Sequence, residues 1–175
     1  MTTREKRSII RILVAIVLWL SSFGIIFWFT SYSGEDSSRV SMAVARFIRD
    51  LIARNFYVNP HDEFWDITLH AMIRKLAHYT EFFYHGITTG FLMVTLIKKK
   101  WISFSSSVFI CFATAAFDEY RQRFIPGRGP QWSDVLLDTA GSLTGLMAFI
   151  LVYVVCSRFK SLKRRIRELE RMENK

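Results

Sequence analysis

Apolar residues collect in four long stretches instead of being spread evenly along the chain. The stretches are Ile12–Phe29, Ile73–Ile97, Ile102–Phe117 and Val135–Cys156. Each approaches the roughly 17–25 residues that a helix needs to cross the hydrocarbon core of a bilayer, whereas a soluble bundle would interleave charges at helical spacing. The pattern predicts an all-α, polytopic membrane helical bundle with about four transmembrane helices. These spans lie near residues 12–30, 73–97, 102–118 and 135–156.

The connection between the first two spans has a different pattern. Residues Ser37–Tyr57 place arginines among apolar residues at helical spacing, which is typical of an amphipathic helix on the membrane surface or over the bundle. The segment carries too many charges to cross the membrane. Asn59-Pro60 then predicts a turn before the second span.

The first span follows a basic segment and therefore has to be distinguished from a signal peptide. Its apolar run is longer than the roughly 7–15 residues of a signal-peptide core, and no small-x-small cleavage site follows it. We expect a retained signal anchor. The two cysteines, Cys111 and Cys156, lie in separate predicted spans and are expected to pack in the core.

Basic residues predict the orientation of the spans. The amino terminus, the connection between the second and third spans, and the tail hold four, three and eight Lys/Arg, which with four glutamates gives this side a charge of +11, against −2 for the other. Since Lys and Arg accumulate in cytoplasmic loops, a multi-pass plasma-membrane protein with both termini in the cytoplasm is predicted. Residues 1–157 form the transmembrane domain and residues 158–175 a basic cytoplasmic tail helix. Such a tail is typical of contact with anionic lipid, not nucleic acid.

The second span contains a polar stripe. Arg74, His78, Glu81 and His85 follow spacings of four, three and four, which places them on one helix face. At about 1.5 Å per residue, Glu81 lies roughly 10 Å deeper than Arg74, inside the predicted hydrocarbon zone. Ionisable groups at that depth face the bundle interior or a wet cavity, and they indicate a functional site.

Two further polar clusters are predicted to meet this stripe. The third span ends in the polar run Asp118–Phe124, which precedes a tight Pro/Gly loop, and the fourth begins near Asp134. The predicted topology brings all three clusters to the extracytoplasmic face, so we expect one outward-facing cavity. Its predicted lining consists of Arg74, His78, Glu81, Asp118, Glu119, Gln122, Arg128, Asp134 and Asp138. The alternative is a buried ion-pair network that only fixes helix packing. Gly141 and Gly145 are typical of a close helix contact.

At these residues the sequence resembles the VanZ-like family of bacterial membrane proteins, named for a protein associated with teicoplanin resistance. The likeness covers about Phe29 to Gly145. It is carried by Phe29-Thr30-Ser31-Tyr32, Arg74 to Glu81, Asp118 to Phe124 with Arg128, and Asp134 to Gly141. Tyr32 stands where the family usually has Gln, and Asp138 where it usually has Asn. The resemblance implies a link to glycopeptide susceptibility in some members and brings no settled reaction with it.

The first functional hypothesis is a non-enzymatic or transport-like membrane protein whose outward-facing cavity binds a polar ligand. Its cations suit phosphate or carboxylate groups, and Arg binds both bidentately. The ligand is then a cell-envelope lipid headgroup, a lipid-linked cell-wall precursor or a glycopeptide-related molecule. The cations are Arg74, Lys75, Arg121 and Arg128, and the other predicted ligand-binding residues are Gln122, Asp134 and Asp138.

The second hypothesis is an outer-leaflet hydrolase or transferase that acts on a lipid-linked envelope substrate. An acid–base pair or a set of hard metal ligands would come from His78, Glu81, Asp118 and Glu119, joined by Asp134. Their spacing matches no zinc motif, and no Ser or Cys stands in a nucleophile elbow, so the sequence specifies neither a metal nor a cofactor. A third hypothesis is a structural helical partner in envelope assembly. The sequence leaves all three open.

Overall fold

The computed structural model describes residues 2–57 and 64–173. Every regular element within these ranges is helical, which confirms the predicted all-α bundle. The α-helices are α1 (Thr3–Thr30), α2 (Gly34–Ala53), α3 (His70–Leu96), α4 (Lys100–Gln122) and α5 (Trp132–Glu173), and a π-helical segment, Phe64–Leu69, leads into α3. The turn predicted at Asn59-Pro60 lies outside the described residues.

Three of the described helices, α1, α4 and α5, are long and apolar enough to cross a membrane. The second predicted span became α3, which has 27 residues but is not among the three, because polar residues along it, such as His78, Glu81 and His85, lower its mean hydropathy. α3 nevertheless packs against all three candidate spans. The packing of α3 against the candidate spans, and not its composition, therefore shows that it belongs with them.

Contacts between side chains show the relative directions of α1, α3 and α4. Trp19 of α1 donates a hydrogen bond to Thr89 of α3 over 3.1 Å, whereas Ser22, further along α1, lies 2.9 Å from His85, earlier in α3. α1 and α3 therefore run antiparallel. Thr30, the last residue of α1, bonds to the carboxyl-terminal part of α4, so α1 and α4 end at the same side of the bundle.

Glycines allow α3 and α5 to pack backbone to backbone. A Cβ on Gly141 would lie 2.7 Å from the carbonyl oxygen of Tyr79, and one on Gly145 would overlap that of Phe83. The close contact predicted from the Gly141/Gly145 spacing is confirmed. The order of these contacts also shows that α3 and α5 run parallel, so both begin at the end of the bundle where α1 and α4 finish.

The core beneath that end takes one residue from each long helix. Ile26, Phe82, Ala115 and Val135 form a buried apolar cluster that joins α1, α3, α4 and α5. Cys111 is fully buried, as expected. The matching expectation for Cys156 is wrong: it is exposed, because α5 there extends past the other helices into the predicted tail, which continues the same helix without a break.

α2 confirms the predicted amphipathic helix with shifted bounds. It begins at Gly34 and not at Ser37, because the Ser33 hydroxyl caps its first turn by accepting from the Asp36 backbone N–H over 3.1 Å. α2 packs on α3 and on the π-helical segment. Val40 and Phe47 on its other face are exposed, as in a helix that lies at a membrane interface.

The glycine contact between α3 and α5 can be tested at Gly86. A Cβ there would overlap the carbonyl oxygen of Ser142, so Gly86→Ala forces the two helices apart and should lower the free energy of unfolding by roughly 1–3 kcal/mol. Gly24→Ala is the matched control, because a Cβ there has no neighbour within 4 Å. Thermal unfolding of the purified protein in detergent measures both. Equal melting temperatures for the two variants would contradict the contact.

Candidate functional site

A cavity of about 180 Å³ opens between the first turns of α3 and α5, beside the end of α4. We call it the polar cavity. Six of the ten predicted site residues lie in its wall, so the predicted convergence of the three polar clusters occurs. The lining consists of His70, Ala71, Arg74, Lys75, His78, Gln122, Gln131, Asp134, Leu137 and Asp138.

Arg128 reaches this region from the loop between α4 and α5. The loop is fixed to the start of α2, where the Gly34 N–H donates to the carbonyl of Pro126 over 3.1 Å. Gly127 has a φ of +72°, a left-handed conformation that favours glycine. Arg128 Nη2 lies 3.5 Å from the carbonyl oxygen of Phe29, at the end of α1. The loop thereby holds the guanidinium group over the bundle.

The charges around Arg128 come from several helices. Its guanidinium interacts electrostatically with Arg74, Asp118, Glu81 and Glu119. Burial and the neighbouring Arg74 cation lower the pKa of Arg128, and the three carboxylates oppose that shift. Two arginine side chains are therefore held near each other at the mouth of the bundle, where an anion would relieve their repulsion.

Asp118 is satisfied by the protein itself. The Thr30 hydroxyl lies 2.8 and 2.9 Å from its two oxygens, and Arg121 Nη1 lies 3.4 Å from one of them. The Arg121 guanidinium also stacks on the ring of Phe27 at 3.2 Å. Arg121 is one of the cations that the sequence predicts for an external anion. In the structure its guanidinium pairs with Asp118 instead.

Glu119 also bonds within the protein. It accepts from Gln122 Nε2 over 2.9 Å and from the backbone N–H of Gln131, and so ties the end of α4 to the start of α5. It lines a separate pocket of about 350 Å³ next to Trp132. Within the described ranges, no three His, Cys, Asp or Glu side chains come together as metal ligands. Of the four acid–base candidates, only His78 lies in the wall of the polar cavity.

Several buried polar atoms near the polar cavity have no hydrogen-bond partner. They are His78 Nδ1, Glu81 Oε2, Asp138 Oδ1, and Nε and Nη1 of Arg128. His78 Nδ1 and Glu81 Oε2 are 4.0 Å apart, too far for a direct hydrogen bond. Buried polar groups in proteins are almost always paired, so this cluster has the properties of a site that a ligand completes.

Glu81 also borders a second, apolar space. Its side chain is only 9% exposed, and it lines a wide groove of about 520 Å³ between α1 and α3. The groove wall is otherwise formed mostly by apolar residues, including Phe29 and Leu76. Glu81 therefore lies between an apolar surface groove and the unpaired nitrogen of His78.

Two neighbours of the site have partners that the sequence did not predict. His85, the deepest member of the stripe, is fully buried and bonds to Ser22 and Thr89, away from the polar cavity. Thr30 was not among the predicted site residues, although it holds Asp118. The only signal for Thr30 was a hydroxyl at the end of an apolar span, in a segment that shares the family pattern.

The matched range of a known family includes all of these residues. The family model described as VanZ/LLP1 matches residues 12–153. The chain belongs to this family. Comparison with curated proteins and with solved structures gave no match. In this VanZ-like protein, the matched range contains all ten predicted site residues, the whole of α2, α3 and α4, and most of α1 and about half of α5.

The Thr30–Asp118 contact can be tested by Thr30→Val, which removes the hydroxyl and keeps the side-chain shape. Asp118 would lose its shortest hydrogen bonds while remaining buried, so we expect the free energy of unfolding to fall by about 1–3 kcal/mol. Thr95→Val is the control, because the Thr95 hydroxyl bonds only to the Phe91 carbonyl of its own helix. Denaturation in detergent measures both variants, and equal losses would show that the interhelical bond contributes nothing of its own.

Proposed function

We propose that this VanZ-like protein binds the polar headgroup of a cell-envelope molecule in its polar cavity. One observation carries the proposal: Arg128 Nε and Nη1, next to the polar cavity, are buried without a partner, as are one atom each of His78 and Asp138 in the cavity wall and of the nearby Glu81. An apolar ligand would leave all of these groups unpaired, at a cost of about 1–3 kcal/mol each. A polar ligand offsets that cost.

The unpaired atoms also define the chemistry of the ligand. Arg128 needs an acceptor, and a phosphate or carboxylate fits a guanidinium best. Glu81 Oε2 and Asp138 Oδ1 need donors, which hydroxyl or ammonium groups provide. The proposed ligand therefore carries an anionic group beside hydroxyl or ammonium groups, as a glycerol phosphate or ethanolamine phosphate headgroup does.

The size of the cavity favours a lipid over a whole glycopeptide. Its volume of about 180 Å³ is below the roughly 300–1,000 Å³ of pockets that enclose drug-sized ligands. The apolar groove between α1 and α3 reaches Glu81 from the lipid side, so it offers a place for the chain of a lipid whose headgroup enters the polar cavity. A glycopeptide-related ligand would bring only one small anionic group into the same space.

We place the polar cavity at the extracytoplasmic face and both termini in the cytoplasm. Support comes from the other end of the bundle, where Arg11, Lys98 and Lys100 lie around one pocket, since such clusters favour the cytoplasmic side. This orientation gives the polar cavity access to outer-leaflet lipids and to glycopeptides, and it agrees with a role in teicoplanin resistance.

Cysteine labelling tests the orientation. In a protein with Cys111→Ala and Cys156→Ser, a membrane-impermeant thiol reagent applied to intact cells should react with Gly129→Cys and leave Ser161→Cys unlabelled. A Cβ at Gly129 meets no atom within 4 Å, and Ser161 is exposed, so neither substitution should disturb the fold. If only Ser161→Cys is labelled, the topology is the reverse of the proposed one, and the polar cavity lies at the cytoplasmic face.

Arg128→Ala tests the ligand site. We expect it to weaken retention of phosphatidylglycerol or phosphatidylethanolamine in native mass spectrometry tenfold or more, because a hydrogen bond to a charged group contributes about 1.5–3 kcal/mol. The melting temperature should change little, since the lost nitrogens have few partners. Arg46→Ala, which removes an exposed arginine of α2, is the matched control. Glu81→Gln should weaken binding in the same way, since it replaces an acceptor oxygen by a donor.

Separate arms identify the source of the anionic group. If soluble teicoplanin, and neither phospholipid, loses affinity in Arg128→Ala, the ligand is glycopeptide-related. If the bound headgroup is chemically changed, the protein acts as a hydrolase or transferase, and the proposal that it only binds the headgroup is wrong. If wild type, Arg128→Ala and Arg46→Ala retain the same amount of each lipid, the unpaired atoms play no part in binding. That result would overturn the proposal.

A further inference from the structure

A larger pocket lies at the opposite end of the bundle, between α3, α4 and α5 beside the turn that joins α3 to α4. We call it the basic-end pocket. Its volume of about 650 Å³ falls within the roughly 300–1,000 Å³ of ligand sites. Neither the resemblance to the family nor the polar cavity assigns it a role.

The inner wall of the basic-end pocket is apolar. Gly90, Leu146 and Phe149 form part of it. A Cβ on Gly90 would lie 2.7 Å from Phe149 Cδ1 and 2.8 Å from Leu146 Cδ1, so a side chain there would crowd both residues. Trp101, in the same lining, is 71% exposed. Tryptophan at such a position is typical of the membrane–water interface.

The charged groups of the basic-end pocket all have one sign. Arg11, Lys98 and Lys100 belong to its lining, which contains no carboxylate among the described residues. None of the three forms a salt bridge with another described residue. Three cations around one space repel each other, and a bound anion would be stabilised by all of them.

One buried hydroxyl in the wall of this pocket has no partner. Ser103 is 2% exposed and lines the basic-end pocket, and its hydroxyl has no hydrogen-bond partner. The neighbouring Ser107 hydroxyl, by contrast, donates to the Ser103 carbonyl over 2.8 Å. A buried hydroxyl without a partner is rare, and an acceptor oxygen of a ligand would satisfy it.

We propose that the basic-end pocket holds one anionic phospholipid from the surrounding leaflet. An acyl chain packs against Gly90, Leu146 and Phe149, the phosphate lies among the three cations, and the Ser103 hydroxyl donates to an ester oxygen. Basic pockets between transmembrane helices bind anionic headgroups in this way. The proposal does not depend on the ligand of the polar cavity, which lies at the other end of the bundle.

The full-length protein in a zwitterionic detergent, titrated with dioleoylphosphatidylglycerol and observed by native mass spectrometry, tests the site. We expect Lys98→Gln/Lys100→Gln to lower the affinity for one bound phosphatidylglycerol by roughly 25-fold, since each cation near a membrane surface contributes about fivefold. Lys160→Gln/Lys163→Gln removes the same charge from the tail and should keep that lipid. Arg128→Ala should weaken binding in the polar cavity alone and keep the lipid that the Lys98/Lys100 pair loses, so failure of this site and failure of the polar cavity are separable.

A second variant tests the chain-binding part. Val94 lines the basic-end pocket and is half-buried, so Val94→Phe should fill the space and reduce retention of phosphatidylglycerol without removing charge. Melting temperatures close to wild type for both variants would show that the bundle still folds. Equal retention of dioleoylphosphatidylcholine and dioleoylphosphatidylglycerol by wild type, or equal losses in the two lysine pairs, would overturn the proposal.

Discussion

Water is absent from the hydrocarbon core of a bilayer, so the protein has to surround the charged stripe of α3. That requirement explains why α3 lies among α1, α4 and α5 although its own composition is less suited to a membrane than theirs. Close packing of this kind needs small residues. Gly86 on α3 and Gly141 and Gly145 on α5 provide them, since any side chain there would meet backbone atoms of the partner helix.

The carboxylates near the polar cavity divide into two groups by their partners. Asp118 and Glu119 receive hydrogen bonds from Thr30, Gln122 and the backbone, and these bonds join α1 to α4 and α4 to α5. Glu81 and Asp138 keep unpaired oxygens in the interior. A buried network that is only partly satisfied lowers stability, and such a cost persists in proteins mainly where function requires it.

The helices and the convergence of the polar clusters were predictable because periodicity and charge asymmetry are properties of the sequence. A close helix contact at Gly141 and Gly145 was predictable for the same reason, from a four-residue spacing, but the spacing did not identify α3 as the partner. The partners of individual side chains were not. Arg121 stacks on Phe27, and His85 turns toward Ser22, because both depend on how α1 is rotated against its neighbours. Cys156 is exposed because α5 is longer than the bundle, a property of the whole assembly.

The two ends of the bundle differ in how their charges are arranged, and the difference has consequences for binding. The polar cavity contains both signs of charge in a small volume, with unpaired donors and acceptors at fixed positions, so it is suited to distinguish one headgroup from another. The basic-end pocket has three cations around a largely apolar interior three to four times larger, an arrangement suited to a ligand with an anionic group and an apolar chain. α3 and α5 contribute residues to both spaces, and between them the two helices touch through backbone atoms at Gly86, Gly141 and Gly145.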